Sequence, residues 1–254
     1  MARLRGKRCL VTGGSGGLGA ATCLALAREG AKVAVHYSGS KDRAEGVAEE
    51  CRRLGGEAFV VQADVTRRDA CEALVRAVVQ RWGGLDAMVC YAGDPWRRED
   101  WFASFQELGD EAYLRAFRID FLGSVHCAQA ALPVMQRQRA GSIVLTSSSP
   151  GLTGDKEGLS YLPAKAAVAV LAKSLANAYG KDGIRANALA VGSVRTAAMG
   201  GLTAEQAAEL EGESALRRQA RAEEIAAVAL FLCSDEASFL TGAVVAVDGG
   251  LSYH

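Results

Sequence analysis

Strand-length apolar runs alternate with longer amphipathic stretches along this 254-residue chain, and that alternation constrains its fold more than any other feature. Segments 7–11, 32–36, 57–62, 86–89, 142–146, 185–190 and 243–247 read as strands. Segments 17–29, 41–54, 67–82, 110–139, 159–181 and 222–233 read as helices, with 110–139 interrupted or bent near Pro133. Such repetition calls for right-handed crossovers, which build a parallel sheet with helices on both faces. Ser142-Ile143-Val144-Leu145 is a continuous run, as expected of a strand covered on both sides. No linker, low-complexity tract or tandem repeat divides the chain. The expectation is one doubly wound α/β domain over residues 1–254, with a seven-stranded, mostly parallel sheet.

Between the first strand and the first helix stands Thr12-Gly13-Gly14-Ser15-Gly16-Gly17-Leu18-Gly19. Glycines permit a tight turn and close backbone approach, while the helix N-terminus offers free N–H groups and partial positive charge. This combination is suited to a pyrophosphate, so a dinucleotide ligand is expected. Taken alone, the segment would also suit a flexible glycine loop.

Composition excludes several classes. The 29 basic residues balance the 29 acidic ones, so nothing calls for nucleic acid or an anionic membrane. The seven cysteines are scattered, without a C-x-x-C pair, and read as free thiols in a reducing cytosol. His36, His126 and His254 lack metal-ligand spacing, and no metal is expected. The first strand begins too early to leave room for a signal peptide, and no apolar run approaches ~18 residues. A cytoplasmic location is the expectation.

A second constellation is Tyr161-Leu162-Pro163-Ala164-Lys165. Residues four apart share a helix face. A phenol with an ordinary pKa of about 10 handles protons near neutrality only if a neighbour such as an ammonium stabilises its phenolate. Ser148 follows the fifth strand, at the sheet edge where ligands of such folds sit. Pro163 is tolerated only in a first turn, which places Tyr161 at or just before the helix start.

With these features in order, the chain resembles the short-chain dehydrogenase/reductase superfamily over essentially its whole length. The resemblance rests on Thr12-Gly13-x-x-x-Gly17-x-Gly19, Asp64-Val65, Ala92-Gly93, the Ser148/Tyr161/Lys165 trio and Val247-Asp248-Gly249-Gly250. The glycine pattern also fits longer, extended relatives. The absence of a separate substrate domain in 254 residues favours the short subfamily, which includes 3-oxoacyl-carrier-protein reductases.

The resemblance implies a Rossmann domain and hydride transfer between a nicotinamide and a carbonyl or secondary alcohol. Tyr161 would be the general acid or base, Lys165 its electrostatic partner and a ribose ligand, and Ser148 the group that polarises the substrate oxygen. Cofactor contacts would come from Gly13, Ser15, Gly16, Gly17, Leu18, Gly19, Tyr37, Ser38, Asp64, Val65, Cys90, Ala92, Gly93, Tyr161, Lys165, Gly192, Val194 and Thr196. Asp64 would otherwise be a turn residue or cap.

The chain departs from the family pattern in places. Cys90-Tyr91 replaces a usual Asn-Asn, and Val191 a usual proline. Asp120 stands where relatives place an asparagine that bends the long helix and leads water to the lysine. The expectation is that Asp120 preserves a proton relay with an altered pH profile; a solvated or capping aspartate is the alternative.

After the second strand, His36-Tyr37-Ser38-Gly39-Ser40-Lys41 contains no carboxylate. Ser38, Ser40 and Lys41 could take a 2′-phosphate, which favours NADP(H), with NAD(H) as the alternative. Trp96, Trp101, Arg97 and Arg98, together with a lid over 195–216, are expected at the substrate mouth, the tryptophans either for a ring or hydrophobic substrate or to pack the lid, and the arginines either for an anion or as solvated charges. The resemblance also implies a homo-oligomer, tetramer or dimer, packed through faces such as Ala166, Ala167, Val170 and Leu171. Two other functions fit the same residues: a dinucleotide-binding sensor or scaffold without turnover, and a non-redox epimerase or lyase.

Overall fold

The computed structural model describes residues 2–196 and 203–252. Residues 197–202, part of the expected lid, lie outside them.

The strands are β1 (Arg8–Thr12), β2 (Lys32–Tyr37), β3 (Ala58–Gln62), β4 (Ala87–Cys90), β5 (Gly141–Ser148), β6 (Ile184–Val191) and β7 (Val244–Val247). They form one sheet in the order β3-β2-β1-β4-β5-β6-β7. Every pairing is parallel, with registers such as Val11↔Val35 and Val11↔Val89. Strand order reverses between β1 and β4, so the carboxyl ends of these two strands open a crevice there.

The helices are α1 (Gly17–Arg28), α2 (Lys41–Arg53), α3 (Arg68–Trp82), α4 (Arg98–Trp101), α5 (Asp110–Ala116), α6 (Gly123–Gln138), α7 (Pro150–Thr153), α8 (Leu162–Tyr179), α9 (Ala204–Glu213) and α10 (Ala222–Cys233). Cys9, Val11, Val33 and Val35 face one core with Leu26 of α1, Ala44 of α2 and Ile225 of α10. Their neighbours Leu10, Ala34 and Met88 face the other core with Leu74 of α3, Met135 of α6 and Val168 of α8. Alternation along each strand thus feeds two apolar layers. Each fully buried Leu, Val or Met side chain contributes about 1.5–3 kcal/mol of burial. Among the described residues no helix is long and apolar enough to cross a membrane.

The long helical region is irregular at position 120, where the resemblance placed a bend, and not near Pro133. Helix α6 runs through Pro133 to Gln138 without interruption. The irregularity is a π-helical stretch, Phe117–Leu122, between α5 and α6. Its wider turn carries Asp120 at its centre, and the Ser124 hydroxyl donates to the Asp120 carbonyl at 2.7 Å. Helix α8 begins at Leu162, with Tyr161 as its N-cap and Pro163 in the first turn. There the missing proline N–H would have had no intrahelical partner.

Candidate active site

The crevice beside β1 and β4 continues into a cavity of about 900 Å³, lined from the glycine turn to the start of α8. Gly19 packs so tightly that a Cβ there would lie 2.2 Å from the Gly13 carbonyl oxygen. Gly13 has φ +67°, and a Cβ on it would lie 2.9 Å from the Ala92 amide. Gly16 and Gly17 by contrast leave open space or meet only Thr196, whose side chain closes over the turn from the loop after β6. The α1 N-terminus therefore opens onto the cavity through a cradle built of backbone, and this arrangement fits a pyrophosphate.

Around this cradle the cavity wall includes Ser15, Leu18, Ser38, Asp64, Val65, Ala92, Gly93, Gly192 and Val194. Asp64 also caps its own turn, accepting from the Thr66 amide at 2.9 Å and hydroxyl at 2.7 Å. Gly192 must be glycine, because a Cβ would lie 2.7 Å from that of Asp248.

Two of the expected cofactor residues do not reach the cavity. Cys90 is 3 % exposed and packs into the α3–α6 core, its thiol beside Cys127. Tyr91, the next residue, faces the opposite way, lines the cavity and meets the Thr22 hydroxyl at 3.1 Å. Tyr37 likewise turns into the α1–α2 core, and its neighbours His36 and Ser38 line the cavity instead. Lys41 does not line it either. Arg43, two residues further along α2, does, and it donates to the Ser40 hydroxyl. His36 and Arg43 are the residues sequence reasoning missed. The only available signal was a histidine ending an apolar strand and a second basic residue in the first turn of α2.

At the other end of the cavity stand Ser148, Tyr161, Lys165 and Asp120. The Lys165 ammonium lies 5.3 Å from the centre of the Tyr161 ring and donates to the Thr146 carbonyl at 2.9 Å. It also pairs with Asp120 Oδ1 at 2.8 Å. Asp120 is 1 % exposed, so it is neither solvated nor a surface cap. Its Oδ2 accepts from the Asp94 amide at 3.1 Å. Gly93 makes room for it, since a Cβ there would lie 2.6 Å from Oδ1. The Ser147 hydroxyl holds the Lys165 carbonyl at 2.8 Å, tying β5 to α8.

Electrostatics here run against the simplest expectation for a phenol beside an ammonium. Burial pushes the Tyr161 hydroxyl above its ordinary pKa; Lys165 pulls it back and Asp120 pushes it further up. Burial also opposes the charge on Lys165, yet Asp120 and Tyr161 together outweigh that effect and hold the ammonium protonated.

The mouth is formed by Trp96, Trp101, Arg97 and Arg115 with Asp94, Asp100, Asp155, Glu157 and Glu213. Trp101 sits 5.8 Å from the Tyr161 ring, centre to centre, and donates to Glu157 at 3.1 Å. Arg115 is engaged by both Asp94 and Asp100. Arg98 turns away from the cavity to Gln206 and the Phe102 ring. No cluster of metal-ligating side chains occurs among the described residues.

The comparisons with known proteins agree with this architecture. The family model for Enoyl-(Acyl carrier protein) reductase matches residues 13–252. The chain is 36% identical to the 3-oxoacyl-[acyl-carrier-protein] reductase FabG of Staphylococcus aureus, over 96% of this chain and 98% of that protein. It is 39% identical to the Cis-4-hydroxycyclohexanecarboxylate dehydrogenase of Sinomonas cyclohexanicum, over 95% of this chain and 94% of that one. A short-chain type dehydrogenase/reductase from Mycobacterium ulcerans superposes with a TM-score of 0.92 at 29% identity, covering 98% of this chain and 90% of that one. With one unbroken match from the glycine turn to the closing strand, the chain belongs to the short subfamily of the short-chain dehydrogenase/reductase superfamily, a superfamily of oxidoreductases, and is closely related to its 3-oxoacyl-carrier-protein reductases.

Proposed function

We propose that this protein moves a hydride between a nicotinamide dinucleotide and a carbonyl or secondary-alcohol carbon. The observation that carries this reading is the placing of Lys165 5.3 Å from the Tyr161 ring, in the same cavity as Ser148 and the glycine cradle. A bound nicotinamide would supply the hydride chemistry. The protein's own groups orient the substrate and move the proton. Tyr161 gives its hydroxyl proton to the carbonyl oxygen in reduction and takes one back in oxidation. Ser148 donates a hydrogen bond to that oxygen. Lys165 stabilises the phenolate and offers donors to a ribose.

NADP(H) is favoured over NAD(H). Ser38, Gly39, Ser40 and Arg43 line the cavity beyond β2, where a carboxylate would repel a phosphate. At the other end the tryptophans and the surplus of carboxylates suit a neutral substrate with an apolar or ring body. Self-association into a dimer or tetramer belongs to the same reading: Val170 of α8 is 60 % exposed and Leu114 of α5 44 %. Sedimentation would count the copies.

The test is cofactor consumption with a panel of neutral ketones and secondary alcohols, using each coenzyme in turn, with Tyr161→Phe as control. Turnover is expected, falling by about 10²–10⁴-fold in the variant. Coenzyme binding without turnover would point to a sensor. Product formed without net change in coenzyme would point to an epimerase or lyase. Failure to bind either coenzyme overturns the proposal.

A further inference from the structure

His36 is buried against the glycine turn and plays no part in the chemistry proposed above. It is 1 % exposed, lies near the end of β2 and lines the cavity. Its Nδ1 stands 3.0 Å from the Gly13 amide nitrogen and its Nε2 3.1 Å from the Ala63 carbonyl oxygen. A peptide N–H only donates and a carbonyl only accepts. The partners therefore fix the ring: Nδ1 must present a lone pair, and Nε2 must carry the single proton. The main-chain oxygen of His36 also accepts from the Gly14 amide, at 2.9 Å. One residue thus anchors consecutive amides of the turn.

We propose, on the dinucleotide reading above, that His36 is a positioning residue for cofactor binding: its neutral ring holds the glycine turn in its binding shape, and a second ring proton releases it. Protonated Nδ1 would set one N–H against another across 3.0 Å. The turn then loses its anchor at Gly13, whose left-handed backbone, φ +67°, is one that glycine adopts freely and that the ring's hydrogen bond helps to fix.

The direction in pH follows from what surrounds the ring. Burial lowers the pKa of His36, while the Ala63 hydrogen bond and the Asp64 carboxylate oppose that effect. Asp64 approaches from the loop after β3. On either side, β3 sets Val61 beside His36 and β1 ends in Thr12, neither of them charged. The glycine turn brings no titratable side chain, and Arg43 of α2, which lines the same cavity, is engaged by Ser40. The net effect keeps the ring neutral at pH 7, so the acid limb falls below the ordinary imidazole value of about 6.5. Cofactor affinity is level above that limb and falls about tenfold per pH unit below it.

The experiment is the Kd of NADPH and of NADH, read by nucleotide fluorescence between about pH 5 and pH 8. NADH lacks the 2′-phosphate and so removes that group's own titration. His36→Asn puts an amide oxygen near the place of Nδ1, an acceptor that cannot titrate. His36→Gln reaches only the place of Nε2 and leaves the Gly13 amide without a partner.

The expected result is an acid limb in the unmodified protein that is absent in His36→Asn, so the variant binds more tightly than the unmodified protein at the acid end. His36→Gln should bind roughly five- to tenfold more weakly at neutral pH, the loss expected for one hydrogen bond. Near-UV circular dichroism at each pH confirms that the chain is folded. The inference is overturned if His36→Asn keeps the acid limb, or if His36→Gln binds as well as the unmodified protein. Absence of binding by all forms at every pH would instead sink the dinucleotide reading on which it rests.

Discussion

The carboxylate of Asp120 and the ammonium of Lys165 face each other at 2.8 Å, with Asp120 1 % and Lys165 5 % exposed. This negative charge reaches Tyr161 as well, and it acts in the same direction as burial, raising the pKa of the phenol. Reduction needs the protonated phenol, so its rate holds below that pKa and falls above it. Oxidation needs the phenolate and rises through the same pKa. Asp120→Asn removes the charge and should move both limbs to lower pH by roughly one unit. The profiles of kcat/KM in both directions test this, and limbs that stay in place would remove Asp120 from the proton chemistry.

The same pair makes a prediction about stability. A buried charge that loses its partner costs about 3–5 kcal/mol. Lys165→Met leaves Asp120 in that state, so its urea midpoint should fall steeply. Adding Asp120→Asn removes the stranded charge, and the double variant should recover roughly 2 kcal/mol relative to the sum of the single losses. Simple additivity in the unfolding curves would show that the two side chains do not interact.

Strand and helix order was legible in the sequence because sheets buried on both faces leave apolar runs, and helices between them leave a different period. Sidedness was not. Whether Cys90 or Tyr91 faces the cavity depends on where the register of β4 starts, and a run that is apolar on both faces does not record this. Tyr37 and His36 pose the same problem at the end of β2. Pro133 misled for another reason: a helix supported on both sides absorbs the loss of one N–H, whereas the π stretch around Asp120 has no proline or glycine inside it to announce it. The spacing of Tyr161 and Lys165 was readable, since four residues on a helix fix a shared face. That Asp120 would join them was legible only through the family resemblance, because spacing alone relates nothing to Lys165 from 45 residues earlier.

Arg43 provides a test of coenzyme choice. It lines the cavity beyond β2, whereas Lys41 does not. A charge-assisted contact with a 2′-phosphate is about twice as strong as a neutral one. Arg43→Leu should therefore lower kcat/KM for NADPH by roughly tenfold or more while leaving NADH within about twofold. Lys41→Leu should change neither. Equal losses with both coenzymes after Arg43→Leu would mean that the residue shapes the site without reading the phosphate.

The substrate mouth carries its own electrostatic preference. Asp94, Asp100, Asp155, Glu157 and Glu213 line it, against Arg97 and Arg115. Arg115 is already held by Asp94 and Asp100, and Arg98, one of the two arginines expected to greet an anion, turns away to Gln206 and the Phe102 ring. Burial raises the pKa of Glu213, and repulsion from Asp155, Glu209 and Glu157 adds to it, the signature of like charges crowding one side. A carboxylate entering here meets repulsion, and a neutral ring meets Trp96 and the Trp101 face beside Tyr161. Between a cyclic ketone and the same ketone bearing a carboxylate, the neutral compound should have the higher kcat/KM, by roughly tenfold at low salt, with the gap narrowing as salt screens the mouth. Neutralising Glu213 with glutamine should narrow it too. A preference for the carboxylate that survives in both salt conditions would show that a cation lining the mouth, Arg97 first, governs recognition there.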